Sequence, residues 1–271
     1  MRTLFRVRTF FVATAVLISA GAVGIAASAS HSWGGYHWAR IGNPFTLKLG
    51  DNVSGVWDTH LPITSNDWSQ SNVLDTTITP GLTNPKNCRA VKGRVEVCNS
   101  TYGNNGWLGL AQVWVSGNHI VQGVAKLNDT YFNLSNYNTP AWRNLVMCQE
   151  VGHTFGLGHQ DENSGNLNLG TCMDYTNDPA RNDGFGDNQH PNTHDYDQLA
   201  TIYTHFDSFT TILSKTFSTG ASKAAHAVDI DTLNPKEWGR VVKKDARGKN
   251  SLYERDLGNG EKLFTFVIWA D

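Results

Sequence analysis

Between Gln149 and His159 the chain reads Gln149-Glu150-Val151-Gly152-His153-Thr154-Phe155-Gly156-Leu157-Gly158-His159, a run rich in side chains that hold and use a metal ion. On an α-helix, residues four apart share a face, so Gln149 and His153 would point the same way with space for a metal between them. Glu150 is turned by roughly 100° from Gln149, which lets its carboxylate reach a water beside the ion without binding the ion itself. That is the placement of a general base. Gly156 allows the chain to leave the helix in a conformation costly to most residues, and it swings His159 back to the same point as a third ligand. Three protein ligands and one open position describe a catalytic zinc site, where the ion lowers the pKa of a water to about 7 and polarises a carbonyl. A neutral amide oxygen is a weaker donor than an imidazole nitrogen, so Gln149 predicts looser zinc binding than three imidazoles would give.

The helix that must carry these groups is well marked. Thr139 suits an N-cap and Pro140 the first helical position, while Trp142, Leu145, Val146 and Val151 make an apolar stripe for burial against a sheet. A helix of about 16 residues is expected. Beyond His159 comes Cys172-Met173-Asp174-Tyr175. Apart from Gln149, the first run matches H-E-x-x-H-x-x-G-x-x-H. With the second run standing where a Met-turn would, the chain resembles the metzincin clan of zinc endopeptidases (matrixin, astacin and serralysin types) over roughly residues 45–205. The resemblance implies an α+β fold: a twisted mixed β-sheet with an active-site helix, a Met-turn and a C-terminal helix. It further implies Zn²⁺ on Gln149, His153 and His159, Glu150 as catalytic base, Met173 beneath the metal, and Tyr175 touching the metal or the transition-state oxyanion. The departure is Gln149, where the clan carries its first histidine. An inactive relative that keeps the cleft as a binding or structural module is the alternative. Outside this context Met173 would be core filler and Tyr175 a packed aromatic. His31, His37, His60, His119, His205 and His226 read as surface or hydrogen-bonded residues, with His190 or His194 the spare nitrogen donors for a different metal-dependent hydrolase.

The 271-residue chain opens with Arg2, Arg6 and Arg8, an apolar run from Phe10 to Ala27, and Ala27-Ser28-Ala29. This reads as a secretory signal peptide cleaved after Ala29, with an uncleaved anchor as the alternative. The expected division is therefore residues 1–29 as leader, 30–207 as catalytic domain, 208–227 as linker and 228–271 as a small β appendage, in a secreted monomer free of the membrane. Four cysteines in an exported chain predict two disulfides. Local spacing favours Cys88–Cys98, closing a hairpin around Lys92-Gly93, and Cys148–Cys172, tying the helix to the Met-turn; a cysteine zinc site would want CxxC spacing. Net charge is −2, and Arg240, Lys243, Lys244 and Arg247 form no basic stripe, so nucleic acid is not an expected partner.

Strands are predicted at residues 45–49, 73–79, 94–98, 110–115 and 119–127, with a first helix over 57–69. The metzincin resemblance further implies that the strand at 110–115 is the sheet edge above the cleft, where an extended polypeptide substrate could add by main-chain pairing. Residues 176–192 form a loop rich in Asn, Asp and Gly whose length points to a functional role, either shaping a substrate pocket or holding Ca²⁺ through Asp178, Asp183 and Asp187. A last helix is expected over 194–206 and three strands over 238–269, the latter too small a group to fold alone and so docked on the rest. N-x-S/T triplets fall at Asn52, Asn99, Asn128 and Asn133.

Overall fold

The computed structural model describes residues 31–213 and 232–270. The predicted leader (residues 1–29) and most of the predicted linker (208–227) lie outside the described residues. The fold is α+β. Its centre is one twisted, mixed sheet of β1 (His37–Trp38), β2 (Phe45–Asn52), β3 (Leu74–Pro80), β4 (Val95–Ser100), β5 (Trp107–Ser116), β6 (His119–Asn128), β7 (Arg240–Lys244), β8 (Asn250–Gly258) and β9 (Glu261–Trp269). The spatial order is β3-β2-β4-β6-β5-β9-β8-β7, with β1 beside β6. The first half is parallel and the second antiparallel, the join lying between β6 and β5. Alternation in β2 does what the sequence suggests, burying Phe45, Leu47 and Leu49 and exposing Thr46.

Helices cover one face. Residues 57–69 do not form one helix: a 3₁₀ turn at Gly55–Thr59 leads into α1 (His60–Trp68), whose first turn accommodates Pro62 because no intrahelical partner is lost there. α2 (Asp129–Phe132) is a single turn capped by the Asn128 side chain. α3 (Pro140–His153) runs 14 residues, starting where Thr139 caps the Trp142 amide, and α4 (Thr193–Ile202) begins at a capping box formed by Asn192 and Asp195. Disulfides join Cys88 to Cys98 and Cys148 to Cys172. Among the described residues no helix is long and apolar enough to cross a membrane.

β5 is not the sheet edge that the sequence predicts. β9 pairs with it antiparallel from Ser116↔Glu261 to Trp107↔Trp269, so the main-chain groups expected to face a substrate are bonded to the chain's own C-terminal strand. The cause is composition. β9 is apolar on both faces, with Phe264, Phe266 and Ile268 in the same core as α3 and β2, and Val267 in a second cluster with Trp107, Leu110, Trp238 and Tyr253. A strand buried on both sides belongs inside a sheet.

Candidate metal centre

α3 lies across the sheet with Gln149, Glu150 and His153 on its inward side, all fully buried. Its approach to β5 is close enough that a Cβ on Gly109 would lie 2.5 Å from Val146 Cγ1 and 2.8 Å from Glu150 Oε1. The helix stops at His153, and its last carbonyls are taken by side chains from distant segments. Trp33 Nε1 donates to His153 O (3.1 Å), Trp38 Nε1 to Thr154 O (2.8 Å) and Tyr203 Oη to Phe155 O (2.9 Å). These groups satisfy carbonyls that a helix end leaves without partners. Gly156 then takes φ of +102°, and a Cβ there would stand 2.5 Å from the Tyr36 carbonyl oxygen. Only glycine satisfies both demands. The Gly158 amide donates to His31 O, and His159 returns to the end of α3, its ring centroid 4.5 Å from that of His153.

Each candidate ligand has one polar atom fixed and the other without a partner. Gln149 Nε2 donates to Cys172 O at 2.8 Å, His153 Nδ1 to Leu157 O at 2.8 Å, and His159 Nδ1 to Glu162 Oε1 at 2.7 Å. Gln149 Oε1, His153 Nε2 and His159 Nε2 are buried and unpartnered. Buried polar atoms are almost always hydrogen-bonded, so each of these three orphans leaves a donor pair available to an ion. The donor set of two imidazoles and an amide oxygen, each held by an outer hydrogen bond, fits a divalent first-row cation such as zinc. Burial drives both imidazole pKa values down, that of His153 well below the usual value, which keeps them neutral with lone pairs to give.

The turn around Met173 forms the floor. Met173 N is bonded to Thr171 Oγ1, Gln160 N to Met173 O and Tyr175 N to Asp161 O, so the chain after His159 is laced to it. A Cβ on Gly152 would fall 2.7 Å from Met173 Sδ. The Cys148–Cys172 disulfide crosses at this point, and the carbonyl of Cys172 is the one that holds Gln149. Tyr175 is buried with its ring 4.5 Å from His159, but its hydroxyl donates to Val267 O in β9 (3.0 Å).

The roof is the C-terminal hairpin. Phe266 stacks on His153 at 4.1 Å and 12°. Burial pushes the Glu150 carboxyl well above the ordinary range; the amides of Ala111 and Ile268 pull the other way without making full hydrogen bonds. Glu162 belongs to the site although the ligand motif does not include it. Besides His159 it receives Ser251 Oγ (2.9 Å) and Lys243 Nζ (2.9 Å), so the group orienting one ligand is itself gripped by the C-terminal strands. Its position three residues beyond His159 is the one signal the sequence offers.

The spare histidines go elsewhere. His190 sits at the surface on Asp67, and His194 stacks on His31 beside Asp195. Asp178, Asp183 and Asp187 do not converge: they serve Ala180 N, Asn168 N with Arg181, and Gln189 respectively. No family model and no curated protein matches the chain. Among solved structures it is similar to that of myroilysin, with a TM-score of 0.35 and 12% identity over 62% of this chain and 96% of that one. Likeness of that size fixes no chemistry, which must come from the site's own atoms.

Proposed function

We propose that the protein is a secreted zinc-dependent endopeptidase of metzincin type whose cleft is covered by its own C-terminal hairpin. The observation that carries this reading is the set of three buried, unpartnered donors on Gln149, His153 and His159, each with its second polar atom anchored. Zinc held there would supply Lewis-acid activation of water and of a peptide carbonyl. Glu150 is the residue to take the water's proton and hand it to the leaving amine. A carboxylate within reach of a metal-bound water has that chemical use. Tyr175, once its hydroxyl leaves Val267, is placed to donate to a developing oxyanion. In the covered form burial raises the Glu150 carboxyl pKa, and exposure of the cleft would admit substrate and remove that penalty on the carboxylate. The disulfides suit an oxidising, extracellular setting, and the arginine-led apolar start suits a cleaved leader.

A second reading, a binding module without turnover, draws on the same roof: β9 fills the place of an extended substrate along β5. The two separate in one experiment on the mature chain. Zinc content and casein cleavage are measured for the parent and Glu150→Ala. The peptidase reading expects zinc in both proteins and cleavage in the parent alone. Zinc with no cleavage by the parent under any condition that opens the hairpin supports the binding module, and absence of zinc from both overturns the metal site.

A further inference from the structure

A second cluster of metal-type side chains lies apart from the α3 site. We propose that His37, His205 and Asp207 form a further divalent-metal site that staples the N-terminal segment to the chain leaving α4. Their ligand-type atoms all lie within 4.8 Å of one another. His37 is in β1, and His205 and Asp207 follow the last helix, so the three meet only through the fold.

The geometry matches that of a coordination shell. His37 Nδ1 donates to Gly35 O at 3.0 Å, which leaves Nε2 with a lone pair. That lone pair faces His205 Nε2 at 3.1 Å and Asp207 Oδ2 at 3.5 Å, while His205 Nε2 stands 3.9 Å from Asp207 Oδ1. Donors about 2.0 Å from a tetrahedral zinc sit about 3.3 Å from each other, and these separations bracket that value. The carbonyl on His37 Nδ1 is the outer hydrogen bond that ligating imidazoles regularly make. Asp207 is oriented as well: His119 Nε2 donates to Oδ1 (3.1 Å), and Arg40 approaches Oδ2 through its backbone amide (3.2 Å) and Nη1 (3.4 Å). Two imidazoles and a carboxylate select a first-row divalent cation over calcium or magnesium, with a water completing the shell.

The competing account is a hydrogen-bonded hub on Asp207, served by Arg40 and His119. In that account His205 Nε2–H donates to the His37 Nε2 lone pair at 3.1 Å, and metal content is what separates the two. The staple has a structural purpose. Asp207 N bonds Arg40 O and Thr211 N bonds Ala39 O, and the stretch from Trp33 to Trp38 caps the end of α3. A metal at His37 would therefore stiffen the segment that holds the far end of the α3 helix.

The site does not depend on the peptidase reading, and the test separates them. Chelator-stripped mature protein is reloaded with zinc, freed of excess, and assayed for zinc per chain and melting temperature as parent, His205→Ala, Asp207→Asn and Gln149→Ala. His205 is exposed, so its removal leaves the core intact. We expect His205→Ala and Asp207→Asn each to lose one zinc equivalent, together with most of the zinc-dependent rise in melting temperature. Zinc equivalents in both variants equal to those of the parent would overturn the proposal, whatever Gln149→Ala does. A loss in His205→Ala with no change in Gln149→Ala would uphold it and count against the α3 site.

Discussion

In the proposed zinc site Gln149 is the residue on which metal affinity would turn, and its surroundings show how a glutamine could serve. An amide has one donor end and one acceptor end, and the Cys172 carbonyl takes the donor end, leaving Oε1 directed away from that bond. A histidine at this position would keep the same bond through one ring nitrogen and offer the other. Gln149→His is therefore expected to raise zinc affinity and Gln149→Ala to lower it, read by competition with a chromophoric chelator; equal affinities in all three would remove Gln149 from the ligand set. Glu162 acts through His159. Burial alone would raise its pKa, but the bonds from His159 and Lys243 outweigh that and bring it to about 2. Because the folded value lies below the unfolded one, this contribution to stability is present above the ordinary carboxylate range and is lost as pH falls through about 2. Glu162→Gln should flatten that acid limb and weaken zinc by about 10- to 100-fold. A variant with parent-like affinity would show that His159 needs no such support.

At the scale of elements, α3 is positioned by two devices that fail differently when removed. One is steric: Gly156 combines a left-handed φ with a carbonyl at its α-carbon, so Gly156→Ala forces the exit from α3 to shift. A loss of about 1–3 kcal/mol in denaturant unfolding is expected, with reduced zinc binding in parallel. The other is covalent: Cys148–Cys172 spans 24 residues, and opening it by a paired serine substitution should cost about 3 kcal/mol. That change also frees the carbonyl holding Gln149, so zinc affinity should fall further than in a Cys88/Cys98 pair of serines. How much of this is legible in the sequence depends on distance along the chain. The ligand run, the caps at Thr139 and Pro140, the Met173 turn and both disulfides are all local patterns; the structure has the α3 cap and the two disulfides where the spacing implies. Trp33, Trp38 and Tyr203 act on α3 from more than 40 residues away, and no periodicity announces an indole that caps a carbonyl. His37, His119 and His205 look like ordinary histidines in the sequence for the same reason; only the short His205-x-Asp207 spacing hints otherwise.

At the scale of the whole molecule, the proposed peptidase would have its own strand β9 where an extended substrate would lie along β5. β9 runs antiparallel to β5, its Phe266 covers His153, its Val267 carbonyl occupies the Tyr175 hydroxyl, and the strands beside it grip Glu162. Activity would then require a minor open state, and its population would set the rate. Phe266→Ala should raise that population, because it deletes the contact with His153 while leaving every proposed ligand in place. As a core truncation it should also cost about 3–5 kcal/mol of global stability. Instability alone must therefore be separated from opening. Leu47→Ala in β2, fully buried in the same core on a strand far from β9 in the sheet order, provides the control, at about 2–5 kcal/mol. Casein cleavage per folded molecule is expected to rise in Phe266→Ala, to stay at the parent level in Leu47→Ala, and to vanish in Phe266→Ala/Glu150→Ala. Amide exchange in residues 261–269 should quicken selectively in the first of these. If Leu47→Ala gains as much cleavage as Phe266→Ala, partial unfolding rather than departure of the hairpin exposes the site. If neither gains any while zinc is bound, β9 is a permanent strand of the sheet and the cleft is not a gate.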